Sequence, residues 1–439
     1  MSEATLIKDA VCSFCGCLCD DINVEVEGGK VKRVRHACRL GSSKIMGHGR
    51  IENPMIRKDG VLVACSFQEA YDRAAEILLE ANKPLMYGWA STSCEAGKKG
   101  VLLAEEVGAV LDSTATVCHG PSVIGIEEKG LPGATLGQVK NRADTIVFWG
   151  CNPAEAHPRH SLRYSSNASG RFTPQGREGR KIIVVDVRET RTTKNADKFV
   201  RITPGSDYEV ISALRMLVAG KGDIVPGEVG GVSKTDLADL AATLKAAKFG
   251  AVFFGLGITH SRGRYKNIDN ALSLVAELNQ HSKFVIMPMR GHYNVGGIGQ
   301  VLAWSSGYPM SVDFTRGMPY FNPGETAACD LLARGDTDAA LIIAADAVSN
   351  FPRATAKMLA NIPVVQIDPY ENPTTLLSDV VIPCAIAGVE VEGTAYRMDG
   401  LALRLRKMVD CEFPSDEEIL MGILESVHKQ RLLKANEGA

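Results

Sequence analysis

No stretch of this sequence approaches the ~20 consecutive apolar residues of a membrane span, so no transmembrane helix is expected. Charge of one sign is also missing: 49 Lys and Arg stand against 51 Asp and Glu, a formal net charge of −2. That balance gives no field to draw in nucleic acid or an anionic membrane surface, so neither is expected as a partner. The opening Met1-Ser2-Glu3-Ala4-Thr5 has no basic segment leading into an apolar one, and no twin arginine. A secretory leader is therefore not expected. No G-x-G-x-x-G opens a helix and no G-x4-G-K-[ST] occurs, which removes ordinary NAD binding and phosphate-loop nucleotide hydrolysis. There is no short-period repeat and no low-complexity tract.

Against these absences stand twelve cysteines. Without an export signal they point to a reducing cytoplasm and to metal work, not to disulfides. Four fall in a pattern: Cys12-x2-Cys15-x3-Cys19, with Cys38 following in His36-Ala37-Cys38-Arg39-Leu40-Gly41. Thiolates are soft ligands that select iron–sulfur clusters or zinc. Zinc usually takes its cysteines as two C-x2-C knuckles, and the second knuckle is missing. Three clustered cysteines and one remote one suit a [4Fe–4S] cubane, with zinc as the alternative. Cys17 is a spare within the run, and spacing alone leaves open its replacing a neighbour. Residues 22–35 alternate polar and apolar about Gly28-Gly29, a hairpin that would fold Cys38 back onto the first three.

A chain of 439 residues is too long for one core and implies about two to four domains. From about Ser66 the period becomes helical, with Phe67, Ala70, Ala74 and Leu78 on one face and a Ser66/Glu69 capping box. Strands at 84–89, 145–150, 181–186, 251–255, 339–343 and 363–368 alternate with helices to about residue 430. The fold class is α/β with parallel sheets. Each strand ends in a polar or glycine-rich turn, and in open α/β sheets ligands lie beyond such carboxyl ends. Asp186 and Asp368 close their strands as ribose-binding acids do, or as helix N-caps. The 43 glycines suit a backbone that approaches ligands closely. Residues 167–180 read as a surface excursion, and 429–439 as a polar frayed tail.

Two further stretches carry candidate chemistry. Cys118-His119-Gly120-Pro121 joins one α/β stretch to the next; alone, such a dipeptide is more often buried packing. Met289-Arg290-Gly291-His292 opens a glycine-rich loop at a strand end. A guanidinium is a permanent fork for carboxylate-shaped anions, although a single arginine is more often a structural ion pair.

Taken in order, these stretches resemble the molybdopterin oxidoreductases, the bis-pterin tungsten or molybdenum enzymes that include formate dehydrogenases. The likeness runs from Cys12 to about Lys407. It implies an iron–sulfur domain at 1–60, a discontinuous Rossmann-like domain at 61–120 and 300–430, and an inserted Rossmann-like domain at 121–299. Gly150, Asn152, Pro153 and His157 resemble the family's G-x-N-P-x-x-x-H-P loop. Asp186, Arg188 and Thr190 resemble D-P-R-x-T-x-T, with Val187 in place of proline. Gly205 and Asp207 resemble P-G-T-D, with Ser206 for threonine; Gly257 and Thr259 resemble G-x-G-x-T. Asp368 and Asp379 belong to D-P-Y and A-D-V-V-L-P-like segments, and Glu390-Val391-Glu392-Gly393-Thr394 resembles E-x-x-G-T. These positions are expected to bind two pterin guanine dinucleotides.

The resemblance also implies that Cys118 ligates tungsten or molybdenum, with His119 and Arg290 beside it, an arrangement pointing to CO2/formate chemistry. His292 stands where relatives carry glutamine and is expected to face the cofactor. Relatives often have Cys-x-Lys-Gly at the fourth cysteine, whose lysine bridges cluster and pterin; here the residues are Cys38-Arg39-Leu40-Gly41, with Lys44 nearby. Family members continue into a C-terminal β-barrel covering the pterins, and this sequence ends at Ala439 without it. The barrel is therefore expected as a separate subunit, with ferredoxin-like subunits delivering electrons and an amidohydrolase subunit consuming formate. The rival readings are a formate dehydrogenase α-subunit fragment and a non-catalytic iron–sulfur scaffold.

Overall fold

The computed structural model describes residues 4–47 and 49–437. They form a mixed α/β structure that divides into two compact units. One is built from residues up to Val117, His292–Arg397 and Ala402 onward; the other from Cys118–Gly291 with Met398–Leu401.

The first unit is organised on a sheet of nine strands among the described residues. Its centre is parallel: Val110–Ser113, Pro84–Gly88, Ala339–Ile343, Val364–Ile367 and Val380–Ile382 lie side by side in that order. Antiparallel strands Val312–Asp313 and Tyr320–Phe321 extend one edge, and the hairpin Met55–Lys58/Val61–Ala64 the other. The central strands are buried on both faces, which is why their sequences are near-continuous Val, Ile and Leu. Strand Pro84–Gly88 pairs with Ala339–Ile343 so closely that a Cβ on Gly88, at φ +131°, would stand 1.9 Å from the Ile343 carbonyl oxygen. Only glycine fits there.

Helix Phe67–Glu80 starts at the expected capping box, Ser66 and Glu69 each bonding the other's backbone N–H. The C-terminal residues depart from the sequence reading. They form one helix, Asp416–Glu437, opened by Ser415 and Glu418 capping each other. Its Ile419, Leu420, Ile423, Leu424 and Val427 are buried in the core that also holds Ala74, Leu78 and Leu103. That burial holds the helix through Val427; beyond it 429–437 continue as mostly exposed helix, with Gln430 bonded to the Asp72 carbonyl and Arg431 paired with Glu106. The N-terminal Thr5–Ala10, Ile22–Glu27 and Lys30–Arg35 make an antiparallel three-stranded sheet containing the expected hairpin.

The second unit carries an all-parallel five-stranded sheet in the order Lys198–Arg201, Lys181–Asp186, Thr145–Trp149, Phe249–Phe254, Lys283–Pro288. The excursion 167–180 is tied down more firmly than its composition suggests. Buried Arg180 donates to the carbonyls of Lys140, Ala143 and Ala168 and to the Thr173 hydroxyl. One guanidinium thus replaces the hydrogen bonds that regular structure would supply.

Candidate active site

Within the second unit, the residues singled out from sequence collect along one edge, the carboxyl end of the parallel sheet. The loops after Trp149, Asp186, Arg201, Phe254 and Pro288 all leave that edge. Two of them touch through glycine. Gly257 donates its N–H to the Gly150 carbonyl at 2.8 Å, and a Cβ on Gly257 would stand 2.6 Å from Gly150 Cα. Asn152 accepts from the Thr192 hydroxyl at 2.7 Å, and that hydroxyl accepts from Ala154 N–H, fixing the start of the short helix at Pro153. Asp186 accepts from the N–H of Val187 and faintly from that of Arg188, leaving the Arg188 side chain exposed. The Thr190 hydroxyl is buried without a partner. Gly205, at φ +85°, turns the chain into the helix at Asp207, whose carboxylate accepts from Trp149 Nε1 at 2.8 Å. Burial raises the Asp207 carboxyl above its ordinary pKa.

Cys118, His119 and Arg290 also lie in this unit. His119 is fully buried: Nε2 is 3.2 Å from the Met289 carbonyl and Nδ1 3.3 Å from Ser122 Oγ. A carbonyl only accepts, so in the neutral ring the proton sits on Nε2 and Nδ1 is the acceptor. Burial, and after it the Arg290 charge, lower the His119 pKa to about 3. The ring is therefore neutral over the whole working range, not poised near neutrality as an isolated imidazole would be. Burial pushes the Cys118 thiol up to about 11, opposed by the His119 N–H and the Arg290 charge. Arg290 has no carboxylate partner among the described residues, and its Nε is buried with no hydrogen-bond acceptor. A half-buried guanidinium in that condition is costly unless an anion completes it.

Two residues assigned by resemblance to the cofactor contact these same segments. His157 Nε2 is 2.8 Å from the Arg290 carbonyl, and the Thr259 hydroxyl donates to the Cys118 carbonyl at 2.9 Å.

In the first unit the four cysteines converge. Cys12 N–H donates to the Cys19 carbonyl at 2.9 Å, closing the loop between them. A Cβ on Gly41 would stand 2.6 Å from Cys12 Sγ and 3.7 Å from Cys38 Sγ, so the hairpin does return the fourth cysteine to the first. Burial, then Cys19, Cys15 and Cys38, push the Cys12 thiol up to about 12. Four cysteine thiols brought together in this way are a donor set for a soft cation or an iron–sulfur cluster. No three described His, Cys, Asp or Glu side chains lie close enough to hold a single ion. A tetrahedral zinc needs its sulfurs at about 2.3 Å, whereas a cubane takes one thiolate per iron and spreads them. Cys17 is fully buried and hydrogen-bonds Cys15, lowering the Cys15 pKa.

Beside this set lies a cavity of about 440 Å³ lined by Lys44, Asp368, Tyr370, Cys384 and Asp416. Asp368 closes its strand and accepts from Tyr370 N–H at 2.9 Å. Burial raises Asp368 to about 7 and Asp416 to about 6, and Asp416 Oδ1 and the Tyr370 hydroxyl are buried without partners. Burial lowers the Lys44 pKa, while Asp368 and Cys12 pull it back up. A buried ammonium, two carboxyls and a hydroxyl with unmet hydrogen bonds form a pocket suited to a polar heterocycle. Sequence reasoning missed Asp416, far from any motif, and Cys384, which directly follows the Asp379–Pro383 segment; both meet Lys44 only in three dimensions. Asp379 does not join Asp368. It precedes the Val380–Ile382 strand and accepts from Val364 N–H at the opposite end of the sheet. His292 is exposed and pairs through its backbone with Cys15.

No described helix is long and apolar enough to cross a membrane. The molybdopterin oxidoreductase family pattern matches residues 50–419. The chain is 49% identical over 429 residues to one subunit of the tungsten-containing formylmethanofuran dehydrogenase 2 of Methanocaldococcus jannaschii, spanning 96% of this chain and 98% of that protein. It is 46% identical over 434 residues to the like-named protein of Methanococcus maripaludis, spanning 97% and 100%. Among solved structures, the formyltransferase/hydrolase complex from Methylorubrum extorquens shares the fold, with a TM-score of 0.71 at 19% identity over 86% of this chain and 99% of that one. The chain belongs to the molybdopterin oxidoreductase family.

Proposed function

We propose that this chain is the catalytic subunit of a cytoplasmic formylmethanofuran dehydrogenase, reducing CO2 to formate in methanogenesis. The observation that carries the reading is a half-buried, unpaired guanidinium, Arg290, beside a Cys118-His119 dipeptide. Its support is the identity, along nearly the whole chain, to proteins of that name. The reaction is CO2 + 2e⁻ + H⁺ → HCOO⁻. A bound tungsten or molybdenum ion on two pterin guanine dinucleotides supplies the two-electron chemistry.

Cys118 would hold that ion through its thiolate. The Arg290 fork holds the carboxylate-like anion in two contacts, stabilising it more than neutral CO2. His119, adjoining Cys118 and held through Nε2 on the Met289 carbonyl, is the residue assigned to move the proton. Cys12, Cys15, Cys19 and Cys38 would hold a [4Fe–4S] cluster, which would supply electron transfer. Lys44, drawn toward both Cys12 and Asp368, replaces the lysine that relatives carry two residues after the fourth cysteine. The turns at Gly150–His157, Asp186–Thr190, Gly205–Asp207 and Gly257–Thr259, together with Asp368 and His292, are assigned to the nucleotide and pterin ends; Asp379, bound to Val364 N–H at the far end of its strand, is not. We further propose the three-part domain division at 1–60, 61–120 with 300–430, and 121–299. The partners are a β-barrel subunit covering the pterins, ferredoxin-like electron carriers and an amidohydrolase subunit.

The test is the purified complex assayed for formate-dependent viologen reduction and for CO2 reduction by a low-potential donor, with metal content measured alongside. The reading requires both activities together with W or Mo. Iron without W, Mo or pterin would overturn it in favour of a scaffold.

A further inference from the structure

Three hydrogen bonds hold the two backbone segments that bear Cys118 and Arg290, one joining them directly and two anchoring each to a neighbouring loop, and none uses an atom assigned to the reaction. His157, 2% exposed, holds the Arg290 carbonyl through Nε2 at 2.8 Å. His119 holds the preceding carbonyl, Met289, through its own Nε2 at 3.2 Å. Thr259 donates its hydroxyl to the Cys118 carbonyl at 2.9 Å. The donors come from three places: the loop after Trp149, the turn before the Gly120–Lys129 helix, and the short helix Leu256–Thr259.

The geometry defines what each bond does. Met289 N–H still pairs with Phe254 O at 2.7 Å, extending the sheet by one residue. Past it the strand ends, and Arg290 N–H closes a tight turn onto Pro288 O at 3.1 Å. The carbonyls of Met289 and Arg290 therefore point away from any strand, and two buried imidazoles take them up. His157 has no other tie, since its Nδ1 is buried without a partner. Its single bond goes to the residue whose guanidinium must be aimed. Burial lowers the His157 pKa, which keeps the ring neutral with its proton on the nitrogen facing the carbonyl.

We infer that His157 and Thr259 are positioning residues, a brace that sets the Arg290 guanidinium and the Cys118 sulfur in register, in addition to any contact they make with cofactor. The inference rests on the functional reading above for Arg290 and Cys118. It gives the sequence motifs a second purpose: the loops that cradle a nucleotide also fix the reacting residues. Groups that orient the residues at a reaction centre typically affect activity by about 10- to 100-fold when removed.

The experiment uses the complete complex with His157→Phe, His157→Gln and Thr259→Val, each alone and combined with Arg290→Lys. Glutamine places an amide N–H near the position of the imidazole Nε2; phenylalanine does not. The brace predicts that His157→Phe and Thr259→Val lower formate kcat/KM by about tenfold and weaken azide inhibition in parallel, with W or Mo, iron and pterin at wild-type levels. It predicts that His157→Gln restores most of the loss, and that neither substitution adds its full effect on top of Arg290→Lys. Additive losses, no recovery with glutamine, or activity falling in step with metal content would overturn it. A second readout needs no turnover: amide hydrogen exchange of segment 286–291 should quicken in His157→Phe and stay near wild type in His157→Gln. If the wild-type complex holds no W or Mo and turns over no formate, the functional reading fails, and exchange alone then decides the brace. Equal exchange in all three proteins would refute it.

Discussion

Arg290→Lys separates a catalytic guanidinium from a structural one. Arg290 has no carboxylate partner among the described residues, its Nε lacks an acceptor, and the Cys118 thiol is the one group whose charge raises its pKa against the cost of burial. In a structural ion pair the partner would already be in place; here the anion must come from the substrate. Lysine keeps the charge but replaces a two-point fork with one contact. Losing one preorganised donor at a developing anion costs about 2–4 kcal/mol. At 1.36 kcal/mol per decade, that is a fall of about 30- to 900-fold in turnover. Arg290→Ala, which also removes the charge, should be worse. The assay is formate-dependent viologen reduction by the purified complex, with W or Mo and pterin measured on the same preparations. Metal content should remain at the wild-type level in Arg290→Lys. Activity lost one for one with metal would mean that Arg290 only braces its loop, and would refute the reasoning.

The cysteine assignments are tested by paired substitutions. Cys15→Ser should abolish the four-iron EPR signal, whereas Cys17→Ser should keep four irons and alter only their spectrum; loss of iron in Cys17→Ser would reverse the roles. Gly257→Ala forces a Cβ to within 2.6 Å of Gly150 Cα, where the three nearest atoms are all Gly150 backbone. It should destabilise the complex by about 1–3 kcal/mol in urea unfolding and reduce pterin content. His160, buried with only Ser165 at Nδ1, has its pKa lowered to about 3, chiefly by burial. The unfolded chain takes up that proton near pH 6.5 while the folded one refuses it, so stability falls as pH drops from about 6.5 toward 3. His160→Phe should flatten that fall. The difference in Tm between variant and wild type, measured from pH 7 to pH 4, should move in the variant's favour as pH decreases; an unchanging difference would show that the ring is protonated when folded.

What could be read in the sequence follows from where the physics is local. Parallel strands buried on both faces leave apolar runs closed by polar residues, so Asp186 and Asp368 marked their strand ends correctly. The Ser66/Glu69 box is a contact between residues three apart and was equally visible. Cys118 and Arg290 are separated by more than 170 residues, and only the ordered series of family-like motifs singled them out. Motif likeness did not carry spatial role: Asp379 lies at the opposite end of the sheet from Asp368, and His157 reaches a backbone carbonyl at Arg290. The final helix was misread because its last turns are polar, and its stability comes from Ile419, Ile423 and Val427 packing into a distant core. Lys44, Cys384 and Asp416 come together only through folding, and no spacing rule joins them.

The central claim is that Cys118 ligates a tungsten or molybdenum ion in this chain. X-ray absorption at the W and Mo edges of the purified complex, wild type against Cys118→Ser, tests it most directly. The account predicts a sulfur-rich shell about the metal in the wild type, with one sulfur exchanged for oxygen in Cys118→Ser. A wild-type complex with neither metal, or an identical sulfur shell in the two proteins, would contradict it.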